Sequence, residues 1–133
     1  MLSQSSQDDR VLAQDFYRAL FNLFYESCEA YIQRLLKHCT FGIAPSEGGH
    51  RTFFIIAPDQ DLAEELVEEI DSIVRQVSRI TVGVKQTAIC FVPEEKQSAY
   101  RAMNYEPSQI PSNFLLGQIF ENYSVVEEDL LDQ

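Results

Sequence analysis

The stretch TFFIIAPDQDLAEELVEEIDSIVRQV (residues 52–77) carries two kinds of periodicity across a Pro-Asp break. Before the break, FFIIA is a short apolar run rich in aromatic and β-branched residues, which suits a strand buried on both faces. Pro58 ends it, having no N–H to give a ladder. After the break, Leu62, Leu66, Ile70, Ile73, Val74 and Val77 recur at helical spacing, with Glu64, Glu65, Glu68, Glu69, Arg75 and Arg79 elsewhere. Asp61 and Glu64 stand at capping-box spacing, and early acids with late arginines complement the helix dipole. The pattern predicts one amphipathic helix, started by Asp59 and Asp61. Its carboxylates, Asp59 to Asp71, have neither a Gly turn nor EF-hand spacing, so they read as a solvated face rather than a metal or acid–base centre.

Upstream, TFGIAP (40–45) and RTFFIIAP (51–58) read as two strands joined by SEGGH, a glycine-bearing hairpin loop. The loop lacks the Lys-Ser/Thr pair of a phosphate loop, and turn chemistry accounts for its glycines. Between Ser5 and His38 there is no Pro or Gly, and Ser6 and Asp9 have capping-box spacing. Two adjacent apolar stripes run along this segment. One holds Leu12, Phe16, Leu20, Leu23, Tyr31 and Leu35; the other holds Tyr17, Phe21, Phe24, Cys28, Ile32 and Leu36. A surface helix needs one such face, so the second calls for explanation. Unbroken, about 30 residues would span about 45 Å. The segment therefore either breaks near Asn22 to Ser27 into a helical hairpin within its own core, or buries its second face against a partner subunit. On the latter reading Phe16, Leu20, Phe21 and Phe24 form a homodimer interface.

Downstream, RITVGV and QTAICFV predict one or two strands ending at Pro93, and EEKQSAYRAMNY a short helix. EPSQIPS holds two of the five prolines and reads as a linker. The last segment has Leu115, Ile119 and Tyr123 at helical spacing, Leu116 and Phe120 beside them, and acids at Glu121, Glu127, Glu128, Asp129 and Asp132. It either packs back on the domain or docks in another protein's groove. The expected fold is α+β: a small sheet of three to four strands, antiparallel or mixed, covered by a long N-terminal helix or helical hairpin and a central amphipathic helix. The expected order is α-β-β-α-β(-β)-α, with one domain over 1–105 and a linker and acidic-hydrophobic tail over 106–133.

The bulk numbers narrow the function classes. At 133 residues and 45% apolar content the chain is long enough for one real core. A net charge of −11 opposes non-specific binding to nucleic acid and to anionic membranes. The polar opening MLSQSSQDDR predicts no signal peptide, and no apolar run approaches membrane-spanning length. Three cysteines without a C-x-x-C pair fit reduced thiols, so a cytoplasmic location is expected. His38, Cys39, His50 and Cys90 lack finger spacing for zinc, and Cys39 with a histidine carries no nucleophile signature. Cys28 and Cys90 fall on apolar faces as small core residues. No metal, cofactor or catalytic residue is expected. Charge is nevertheless segregated: Arg75, Arg79 and Lys85 lead a locally basic stretch, which gives weak single-stranded nucleic-acid binding as the alternative function. No RRM-type aromatic signature and no G-x-x-G loop accompanies it.

LFYESCEAYIQRLL, FFIIAPDQDLAEELVEEI and AICFVP together resemble the N-terminal domain of the bacterial replication initiator DnaA, a small KH-like α+β module that mediates protein contacts. The likeness spans roughly residues 24–93. It rests on an early helix with an aromatic and a Cys three residues on, an apolar strand ending in a proline corner, an amphipathic helix and a last short strand. The family's aromatic is commonly Trp, which this chain lacks. The resemblance implies self-association and protein partners met through the first-helix face, where Tyr25 and Cys28 would lie. Together these readings predict a non-enzymatic adaptor or regulatory module, homodimeric through its first helix.

Overall fold

A computed structural model describes residues 2–45, 49–102 and 116–122, with side chains from residue 15 onward apart from 100 and 101. The apolar run becomes β2 (Arg51–Ala57), an interior strand of a four-stranded sheet in the order β1-β2-β3-β4. β1 (Thr40–Pro45) pairs with it antiparallel, Ile43 opposite Phe53. β3 (Val84–Phe91) pairs with its other side in parallel, Ile55 opposite Ile89, and β4 (Leu116–Glu121) closes the sheet antiparallel to β3. Burial on both faces explains the unbroken apolar character of β2. Phe53, Ile55 and Ala57 join the main core, while Ile56 and half-buried Phe54 pack with Ala88, Cys90 and Val92 on the opposite face. The α+β class and the mixed sheet agree with the sequence reading.

The N-terminal segment is broken, as one of its two readings required, but one or two residues later than expected. α1 (Leu2–Ser27) begins ahead of Ser6, and α2 (Ala30–Leu36) follows after Cys28 and Glu29. Glu29 is extended (φ −63°, ψ 155°), and the carbonyls left over at the end of α1 find side-chain donors. Ser27 Oγ donates to the Phe24 carbonyl at 2.7 Å, and Gln33 Nε2 to that of Tyr25 at 2.9 Å. α1 is held against the sheet by a cluster of phenylalanine rings. Phe24 lies 5.0 Å from Phe53 and meets Phe41 edge-on at 5.8 Å; Phe21 meets Phe53 edge-on at 5.7 Å.

Three further expectations are corrected. The single central helix is two, α3 (Gln60–Glu68) and α4 (Ile70–Ile80), joined at Glu69 (φ −102°, ψ 19°). Both pieces direct apolar residues inward, Ala63 and Leu66 from the first and Ile73, Val74 and Val77 from the second, so the apolar periodicity survives the joint and conceals it. Asp59, rather than Asp61, is the N-cap of α3: its Oδ1 accepts from Leu62 N at 2.9 Å. RITVGV is divided, since α4 runs through Ile80 and the chain turns at Gly83 (φ +81°) before a single strand, β3.

The tail's helical spacing is likewise overruled between Leu116 and Glu121, which form β4. Pairing with β3 satisfies backbone groups that a helix would have left open along the β3 edge, and spacing of apolar side chains does not register that demand. Gln86 Nε2 donates to Glu121 Oε1 at 3.1 Å. Buried Thr87 donates to Asn122 Oδ1 at 2.6 Å, and Asn122 Nδ2 donates to the Val84 carbonyl at 3.1 Å. The expected short helix after Pro93 is a 3₁₀ turn (Glu94–Lys96) leading into α5 (Gln97–Ala102).

Candidate functional site

The two stripes of the N-terminal segment have different fates. Phe24, Cys28, Ile32 and Leu36 of the second are buried, and Tyr17 and Phe21 pack against them. The first stripe faces outward only in part: Phe16 is 63% exposed, Leu23 54% and Tyr31 48%, while Leu20 is half-buried and Leu35 lies in the core. Ala19, exposed between Phe16 and Leu23, completes an i, i+3, i+7 row along α1. The six residues singled out for an interface thus divide. Phe24 and Cys28 are core, Leu20, Phe21 and Tyr25 lean on it, and Phe16 projects from it.

Two residues not singled out belong with Phe16. Leu23 lies two turns along the same row, and its place in the first stripe was the available signal. Val82, at the turn between α4 and β3, is 97% exposed. It helps line a 140 Å³ cleft with Phe16, Leu20, Ile43, Ile80 and Arg51. No periodicity could have placed Val82 beside α1, because a turn brings it there. Arg51 Nη1 donates to Tyr17 Oη at 3.3 Å, tying this side of α1 to the start of β2. The outer face of α1 can bury apolar area and offers little else.

The remaining candidates are dispersed. Arg75 and Arg79 lie exposed one turn apart on α4, and Lys85 is exposed on β3. Ile119 is 64% exposed and Phe120 half-buried on β4, whereas Leu115 and Tyr123 lie outside the described residues. His38 and His50 are exposed, Cys39 is half-buried and Cys90 buried; among the described residues no three His, Cys, Asp or Glu side chains stand together as metal ligands would. Burial pushes the Cys28 and Cys90 thiols up to about 11. Cys39 rises to about 12, through burial first and then the Asp59 charge. Such thiols stay protonated at neutral pH and are poor nucleophiles. Among the described residues no helix is long and apolar enough to cross a membrane. Comparison with protein-family models, curated proteins and solved structures finds no match to this chain.

Proposed function

We propose that this protein is a cytoplasmic, non-enzymatic interaction module, an adaptor or regulator, that pairs with a second copy of itself through the outer face of α1. The observation that carries the reading is the row Phe16, Ala19, Leu23, left exposed on a helix whose adjacent stripe already fills the core. A helix with one satisfied apolar face and a second exposed one is what association through that face requires. The row has a small residue between two large ones, so two antiparallel copies could interlock, Phe16 beside the partner's Leu23 about an Ala19 centre. The resemblance to the DnaA N-terminal domain implies protein contacts through the first helix, but it begins at residue 24 and does not reach this row, and the residues it implies for that face, Tyr25 and Cys28, lie against or in the core.

Disulfide trapping tests it. The native thiols are buried or half-buried with raised pKa, so an exposed Ala19→Cys thiol would be the reactive one. Mild oxidation should give a covalent dimer with Ala19→Cys and none with Ser98→Cys, which is exposed on α5. Equal yields from both would mean random collision. Single-stranded nucleic-acid binding through Arg75, Arg79 and Lys85 is the alternative, and absence of binding at about 50 mM salt would remove it.

A further inference from the structure

The corner between β2 and α3 opens toward the end of β3 as a cleft of 640 Å³, with Asp59, Asp61, Glu94 and Glu95 on its walls. The cleft shares Gln60 and Phe91 with a 160 Å³ groove between α3 and β4, whose floor is Ala63, Val67, Ile89 and Phe91 and whose rim carries Glu64. Five carboxylates from two separate elements therefore face one continuous trench. No Lys, Arg or His is among its described lining residues. Val67 and Phe91 are only partly covered, and Leu116 at the edge is 56% exposed. Ala63 and Ile89 belong to the core, so the apolar surface left open beside these charges is that of Val67, Phe91 and Leu116.

Charge decides what could fill the trench. The sequence from Ala102 to Gln133 contains no Lys, Arg or His, so the chain's own C-terminal segment cannot neutralise these carboxylates. A second copy brings another net charge of −11. Nucleic acid and anionic lipid are repelled for the same reason. We propose that the trench is a docking groove for a basic peptide segment of another protein. One apolar anchor of that segment sits over Ala63, Val67 and Phe91, and its Lys or Arg side chains stand against Asp61, Glu94 and Glu95. Anchor and charge divide the work: the anchor supplies most of the affinity, and the complementary charges supply on-rate and selectivity. This surface is separate from the α1 row and does not depend on it.

The test titrates the full chain into a short fluorescein-labelled peptide of Leu and Lys, and into its counterpart with Ser for Leu. The Leu-Lys peptide should bind, and the Ser-Lys peptide should bind at least about tenfold more weakly. Glu64→Gln/Glu94→Gln/Glu95→Gln, all at exposed positions, should weaken binding about tenfold. Glu127→Gln/Glu128→Gln/Asp129→Asn removes the same charge from the tail and should leave affinity within about twofold. Circular dichroism of each variant establishes that it is folded. Failure of the wild-type chain to bind, equal weakening by the two triple variants, or equal affinity for the two peptides would each overturn the proposal.

Discussion

The ring of Phe24 on α1 lies 5.0 Å from that of Phe53 on β2, inclined at 58°, and both side chains are fully buried. One residue row further round the same helix, Phe16 is 63% exposed. Two phenylalanines eight positions apart thus do different work, one attaching the helix to the sheet and the other facing outward.

That division makes a quantitative prediction. Phe24→Ala should cost about 3–5 kcal/mol, the usual penalty for emptying a buried aromatic site. Phe16→Ala, in dilute protein, should cost no more than about 0.5 kcal/mol. Urea unfolding followed by circular dichroism measures both. Similar losses for the two would contradict the placement of α1.

Gly117 is required by close approach. A Cβ there would run into the Ile89 carbonyl oxygen and come within 2.8 Å of Cys90 Cα, both of them main-chain atoms that cannot step aside. Gly117→Ala should therefore detach β4 from β3, exposing the amides of β3 that it protects. Hydrogen exchange would register faster exchange along 84–91, with the amides of α1 unchanged. Unaltered protection on β3 would show that β4 tolerates a side chain at this point.

The thiols predict an alkaline limit to stability. Each folded value, about 11 for Cys28 and Cys90 and about 12 for Cys39, lies above the usual 9.0. Between pH 9 and about 12 the unfolded chain releases protons that the folded chain retains, so stability falls as pH rises through that window and is unaffected by these groups below it. Urea midpoints measured from pH 7 to 11 should decline above pH 9, less steeply in Cys39→Ala than in the wild type. Native thiols should also react slowly with an aromatic disulfide reagent at pH 8 and rapidly in urea. Fast native labelling would mean that they are not buried.

Much of this architecture could be read from residues 52–77 and their flanks because burial writes itself as periodicity. FFIIA reads as a two-faced strand, and α3 and α4 show their apolar side plainly. What could not be read depends on contacts between distant segments. The bend at Glu69 leaves the apolar spacing intact. β4 is specified by open backbone groups on β3, which have no side-chain signature, so Leu115, Ile119 and Tyr123 suggested a helix instead. In the N-terminal segment both stripes were visible, but which of them meets the sheet depends on where Phe41 and Phe53 lie. Five favoured interface residues, Leu20, Phe21, Phe24, Tyr25 and Cys28, therefore fall in or against the core. The acidic trench also escaped notice, because Glu94 and Glu95 join Asp59 and Asp61 only once β3 has brought Pro93 back beside the corner.

The central claim is that the exposed row on α1 is where two copies meet, and sedimentation velocity tests it most directly. The wild type should sediment as a dimer whose association tightens as salt is raised, because screening relieves repulsion between two chains of net charge −11 and leaves an apolar contact unharmed. Phe16→Ser/Leu23→Ser should sediment as a monomer with unchanged circular dichroism. A wild-type monomer at every salt concentration, or a double variant as dimeric as the wild type, would contradict the account.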